Sequence, residues 1–119
     1  MELLLLFLLI VKHCVTDLGI QSQLLWGKTV NKKYYFGCHS HYLHHAIGTF
    51  IVFALLTDWK TTLLATVIDY IVHWHIDFVK YQINNHLELK RSDKLYWWTA
   101  TLDQLLHFLT YYLLVIFLV

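Results

Sequence analysis

Four apolar stretches joined by short polar connectors account for most of this 119-residue chain. No proline interrupts them and none alternates as a β-strand does, so each is predicted to be a helix. We place the helices at 3–20, 41–56, 61–80 and 96–118, with an interfacial connector at 21–40, and leave open a continuation of the third helix past the membrane to Asn85. Hydrophobic residues make up 58% and charged residues 14%, whereas a soluble domain carries about 25% charged residues. The sequence therefore predicts one domain over residues 1–119, an all-α integral membrane four-helix bundle in a lipid bilayer.

The basic residues predict an orientation for the bundle. Those of the first and third connectors share one side, and they are Lys28, Lys32, Lys33, Lys90, Arg91 and Lys94. The opposite side has only Lys60, so the positive-inside rule places both termini on the non-cytoplasmic side of the membrane. The start of the chain has no basic residue before its apolar run and no small-residue cleavage site, which favours a retained helix over a signal peptide. The net charge of +1 gives no basic face for nucleic acid.

Polar residues inside the apolar stretches recur at one spacing. A charged or imidazole group within a membrane span is costly and is a functional candidate. Here each helix carries such groups four residues apart, which puts them on one helix face, one turn apart. The sets are His13 and Asp17, His41 and His45, Asp69, His73 and Asp77, and Asp103 and His107. Given the predicted orientation, all four sets fall in the same half of the bilayer. We expect them to form a polar core inside the bundle.

Imidazole nitrogens and carboxylate oxygens are the ligands of divalent transition metals, with zinc the first candidate and iron or manganese as alternatives. The predicted metal ligands are His13, Asp17, His41, His45, His73, Asp77, Asp103 and His107. Because one tetrahedral site uses only three or four ligands, Asp69 or Asp103 is the candidate general base of a metal-dependent hydrolase. A structural polar network and an ion or proton pathway remain alternatives. A homo-oligomer and an envelope protein partner are also left open.

Several other residues have a simpler interpretation. His75 lies about 200° around the helix from His73 and should face away from the core. His44 competes with His41 as the ligand of the second helix. Lys80 shares the face of His73 and either extends to the interface or binds an anionic headgroup. Cys14 and Cys38 are expected to be packing thiols.

Three motifs in order resemble the signature of a known family. They are His13-x-x-x-Asp17, His73-x-x-x-Asp77-x-x-Lys80 and Asp103-Gln104-x-x-His107. The family consists of small integral membrane proteins of unknown function from bacteria and their phages, and the resemblance covers nearly the whole chain. It implies a location in the bacterial inner membrane. A more distant resemblance, to bacterial membrane-bound metal-dependent hydrolases, implies a hydrolytic activity at the membrane.

Overall fold

The structure, a computed structural model, describes residues 1–20 and 39–119. It contains four α-helices: α1 (Glu2–Cys14), α2 (His39–Leu56), α3 (Trp59–His86) and α4 (Lys94–Leu118). A π-helical segment, Val15–Ile20, continues α1. The predicted all-α class with four helices is confirmed. The predicted connector 21–40 lies almost entirely outside the described residues.

The helices form a bundle in which each one packs against two others. The neighbouring pairs are α1 and α2, α2 and α3, α3 and α4, and α4 and α1, so that α1 lies diagonally opposite α3. The turn between α2 and α3 is short because Asp58 caps α3. One carboxylate oxygen of Asp58 accepts from the Thr61 hydroxyl and the other from the backbone N–H groups of Lys60 and Thr61. These hydrogen bonds, that of the Thr61 side chain foremost, hold the pKa of Asp58 below its usual value.

The distribution of polar residues is reversed relative to a soluble domain. Among the described residues, twelve polar or charged side chains are buried, against ten hydrophobic ones. Large apolar side chains cover the outside along the helices, including Phe7, Phe50, Leu63, Leu105 and Phe117. In water such a surface would be one continuous hydrophobic patch, which monomeric soluble proteins avoid.

The longest helix shows the reversal most clearly. α3 has 28 residues, a length of about 42 Å at 1.5 Å per residue. Apart from the buried Ala65, its inward face is polar over nearly the whole length, at spacings of three or four residues. The residues of this face are Thr62, Thr66, Asp69, His73, Asp77, Lys80 and Asn84. A helix of a soluble bundle carries apolar residues at these positions, so the spacing is that of a packed helix with the polarity inverted.

The interior has an apolar end and a polar end. The apolar end is filled by a cluster in which all four helices take part: Leu5, Leu9, Val52, Phe53, Ala65, Tyr111, Leu114 and Val115. The buried histidines and aspartates occupy the other end, toward the connection between α3 and α4. Lys80 and Asp17 are partly exposed there, with side-chain exposures of 22% and 16%. The polar core is thus closed on the side of the chain termini.

Within the described residues, α4 is the one helix that is long and apolar enough by itself to cross a membrane. The apolar part of α2, His41–Leu56, is shorter. A core helix of a soluble protein can meet the same criterion, so α4 alone is weak support for a membrane span. α3 is longer than α4, but its polar face lowers its hydropathy.

Candidate metal centre

The sequence places the buried histidines and aspartates one helical turn apart, and the structure brings them to one level of the bundle. α2 contributes His41 and His45, with side-chain exposures of 2% and 0%. His44 is only half-buried, so His41, rather than His44, faces the core. On α3, His75 is exposed and its Nδ1–H donates to the Ile71 carbonyl oxygen at 2.6 Å, as expected for a residue that faces away from the core.

The π-helical segment after α1 carries Asp17 into the cluster. Its Oδ1 accepts from His45 Nε2 at 2.8 Å, and its Oδ2 lies 3.0 Å from His13 Nε2. Wide π turns shift the direction of a side chain relative to a regular helix, and they occur frequently at functional sites. Asp17 thereby links α1 to α2.

His73 lies at the centre of the cluster. Its ring centroid is 3.9 Å from that of His45 on one side and 3.9 Å from that of His107 on the other. The side chain is 1% exposed, and neither ring nitrogen has a hydrogen-bond partner among the described residues. A buried imidazole without hydrogen bonds is unfavourable, because both nitrogens lose their contacts with water. These two nitrogens are therefore available to a ligand.

Asp77 connects the histidines of three helices. Its Oδ1 lies 3.0 Å from His107 Nε2, while its Oδ2 lies 3.4 Å from both His73 Nε2 and His41 Nε2. Two ligands of one tetrahedral zinc ion, each about 2.0–2.1 Å from the metal, are about 3.3–3.4 Å apart. The spacing between Asp77 and the imidazole nitrogens thus fits ligands around one ion.

Two overlapping groups of side chains could hold a metal ion. One consists of Asp17, His41, His45 and His73, and the other of His73, Asp77 and His107. Within each group the candidate ligand atoms lie within 4.8 Å of one another. Six of the eight predicted metal ligands are in these groups, and only His13 and Asp103 are not. The ligand roles of all eight stay predictions, but the residues present fit a divalent transition metal.

His13 and Asp103 border the cluster. His13 is 1% exposed, its Nδ1 is 2.8 Å from the Tyr111 hydroxyl, and its Nε2 is 3.0 Å from Gln104 Oε1. The Nζ of Lys80 donates to Asp103 Oδ2 at 3.0 Å, and Gln104 Nε2 donates to the same oxygen at 3.1 Å. The other oxygen, Oδ1, has no hydrogen bond among the described residues and lies 3.4 Å from His107 Nε2. Each residue thus contacts one member of the cluster, His13 with Asp17 at 3.0 Å and Asp103 with His107.

A second buried site surrounds Asp69, the other predicted catalytic residue. Asp69 Oδ2 accepts from Lys12 Nζ at 2.9 Å and from the Thr49 hydroxyl at 2.6 Å. Lys12 also donates to the His45 carbonyl oxygen, and its Nζ lies 4.7 Å from the centroid of the Tyr111 ring. This ion pair crosses the diagonal of the bundle, from α1 to α3, on the closed side of the cluster. The catalytic role of Asp69 stays a prediction.

No role was assigned to Lys12 from the sequence, and the structure buries this residue inside the bundle. Its side chain is 8% exposed. Gly48 makes room for it, because a Cβ at this position would lie 3.1 Å from Lys12 Cδ. The absence of a side chain at Gly48 thus leaves space for the lysine stem. The available signal was a lysine inside an apolar helix beside His13, since an intramembrane cation requires a partner.

The cysteines take no part in the described cluster. Cys14 is exposed and is a free thiol, in contrast to the predicted packing role. Its position follows from the register of α1, in which Lys12 and His13 face inward and the next residue faces outward. Cys38 lies outside the described residues.

One protein family matches this chain. The match, to a family described as "Protein of unknown function (DUF3307)", covers residues 5–119. No curated protein and no solved structure matches the chain. Because the match spans almost the whole length and all four helices, the chain belongs to the DUF3307 family of proteins of unknown function.

Proposed function

We propose that this protein is an integral membrane metalloprotein whose histidine–aspartate cluster holds a divalent transition metal, with zinc the first candidate and iron or manganese the alternatives. The observation that carries the proposal is the position of His73. Its two ring nitrogens are buried without hydrogen bonds, and His45, His107 and Asp77 surround them. A divalent ion would satisfy one of these nitrogens, and Nε2, which lies 3.4 Å from Asp77 Oδ2, is the one placed beside another candidate ligand.

The membrane part of the proposal rests on the reversed distribution of polarity. An interior with more polar than apolar buried residues is favourable when the surrounding solvent is hydrocarbon, because the helices then bury their polar groups against one another. The apolar outer faces would contact lipid. The bacterial inner membrane remains the proposed location.

The first test is the metal content of untagged, detergent-purified protein. We expect about one zinc, iron or manganese ion per chain, in line with one tetrahedral site. Removal of this ion by a chelator should lower the midpoint of thermal unfolding, and addition of zinc should restore it. A protein that stays metal-free after incubation with all three metals, and whose unfolding midpoint a chelator leaves unchanged, would refute the proposal. That result would favour a structural polar network.

The orientation is a second prediction, and it follows from the positions of the basic residues. We expect a reporter fused after Val119 to be located outside the cytoplasm and a reporter inserted at Lys90 to be inside it. At each position, one reporter that is active only in the cytoplasm and one that is active only outside it are compared, so that each controls for the expression of the other. A cytoplasmic carboxyl terminus, or recovery of the protein in the soluble fraction, would contradict this arrangement.

Hydrolysis at the membrane is the activity that we propose for the metal centre. A bound divalent ion would supply Lewis acidity and activate water. The partly exposed end of the cluster, near Asp17 and Lys80, gives a substrate access. Asp103 lies at this end, 3.4 Å from His107, and it is the better placed of the two candidate bases.

A continuous ion or proton pathway is disfavoured, because the apolar cluster around Phe53 and Leu9 closes the opposite end. A screen of chromogenic esters and phosphoesters, comparing metal-loaded wild type with Asp103→Asn, tests the hydrolase reading. Hydrolysis by the wild type that is lost in a variant that still holds its metal would support it. Equal rates with and without metal would contradict it.

A further inference from the structure

The buried charges of the bundle are arranged in a way that the ligand geometry does not explain. The described interior contains four aspartates, and two of them are bound by lysines. Lys12 Nζ lies 2.9 Å from Asp69 Oδ2, and Lys80 Nζ lies 3.0 Å from Asp103 Oδ2. Each of these pairs is neutral as a unit, whichever partner holds the shared proton. Neither Asp69 nor Asp103 belongs to the two groups of side chains that could hold a metal.

The other two aspartates have histidine partners inside the cluster. Asp17 Oδ1 is bound by His45, and the oxygens of Asp77 lie 3.0–3.4 Å from the Nε2 atoms of His107, His73 and His41. Both aspartates belong to the groups that could hold a metal. Each group contains one of the two carboxylates, and the groups share His73. With neutral imidazoles around them, the two carboxylates together supply the charge that balances one divalent cation, whichever group holds it. A buried charge without compensation is costly, so this balance limits what the core can hold.

We propose that Lys12 and Lys80 act as internal counter-charges, which neutralise Asp69 and Asp103 and thereby restrict the cluster to one divalent cation. A second ion bridged by surplus carboxylates would have to approach Asp103 where the Lys80 ammonium already lies, and the two positive charges would repel each other. Lys80 thus takes the place that a second cation would occupy. This inference rests on the proposed metal binding, and it fixes the number and charge of the ions.

Lys80 is the residue on which to test this inference, because its side chain is partly exposed and its removal leaves no large hole. Zinc affinity and stoichiometry would be measured in detergent by competition with a chromophoric chelator. The variants are Lys80→Met, Asp103→Asn and the double variant Lys80→Met/Asp103→Asn. The matched control is Lys90→Met, which removes an exposed lysine from the connection between α3 and α4. Circular dichroism reports whether each variant folds.

The inference predicts that Lys80→Met and Asp103→Asn change the zinc affinity in opposite directions. The wild type should bind one zinc ion. Lys80→Met should bind zinc about tenfold more tightly or take a second ion, and Asp103→Asn should bind about tenfold more weakly. The zinc affinity of the double variant should return to within about threefold of the wild-type affinity, because the double variant restores the net charge of the interior. Lys90→Met should bind zinc with wild-type affinity. A purely structural role of the pair would weaken binding in both single variants.

Several results would overturn the inference. Two zinc ions in the wild type, or unchanged affinity in a folded Lys80→Met protein, would exclude the counter-charge role while leaving metal binding intact. If the double variant binds zinc as weakly as Asp103→Asn does, Asp103 is a ligand of the ion. If Lys80→Met does not fold, the zinc affinities of Asp103→Asn and of the double variant still test the counter-charge role, because only that role predicts tighter binding by the double variant. A wild type that binds no metal overturns the proposed function itself.

Discussion

His73→Ala is expected to reduce the metal content of the purified protein from one ion per chain to less than about a tenth of that value. The residue is the one member shared by both groups of side chains that could hold a metal. Its ring also separates those of His45 and His107. Its loss therefore removes a ligand and opens a gap that lets the remaining imidazoles shift.

The matched control for this prediction is His75→Ala. This histidine lies on the same helix two residues later, but its side chain is exposed and its Nδ1–H is bonded to the backbone of its own helix. His75→Ala should retain wild-type metal content and the same unfolding midpoint. Elemental analysis of both untagged variants, prepared side by side, makes the comparison. Equal metal loss in the two variants, or full occupancy in His73→Ala, would exclude His73 as a ligand.

Lys12→Met is expected to lower the free energy of unfolding by about 3–5 kcal/mol, the usual effect of removing one partner of a buried ion pair. Methionine fills much of the space of the lysine stem next to Gly48. The loss therefore arises mainly from Asp69, which is 1% exposed and would keep only the Thr49 hydroxyl of its two donors. Unfolding in detergent, followed by circular dichroism, gives the free energy.

The double variant Lys12→Met/Asp69→Asn separates charge from packing. It removes both charges and keeps an oxygen that can accept from Thr49, so it should recover most of the lost stability, to within about 1–2 kcal/mol of the wild type. Lys94→Met, at an exposed position in the first turn of α4, is the control and should change little. A loss below about 1 kcal/mol in Lys12→Met would show that water or another group satisfies Asp69.

The sequence was sufficient to predict the features that depend on helical periodicity. His73 and Asp77 fall one turn apart on any helix, so their common face follows from spacing alone. The outward position of His75 follows in the same way. The meeting of four such faces at one level was predicted from the order of the helices in an assumed bilayer, and the structure does bring these residues together in a cluster.

The features that depend on tertiary contacts were not predictable. Lys12 finds its partner on the diagonally opposite helix, at a sequence separation of 57 residues, and no local pattern encodes that pairing. The π-helical segment that carries Asp17 is likewise not indicated by the regular helical spacing of the sequence. α3 extends to His86, so the continuation beyond residue 80 that the sequence left open is present. Its last turns pack on α4, where the Thr99 hydroxyl donates to Asn84 Oδ1 at 2.7 Å.

The apolar end of the bundle restricts the route by which an ion can reach the cluster. From the side of the chain termini, an ion would have to pass the layer formed by Leu5, Leu9, Phe53 and Leu114, which offers it no ligand. From the other side, it meets the partly exposed Asp17 carboxylate first. If the protein binds a metal and is oriented as proposed, with its termini outside the cytoplasm, the ion would enter from the cytoplasmic side alone. The buffered cytoplasmic pool would then determine which metal the protein carries, and metal outside the cell would not exchange with it.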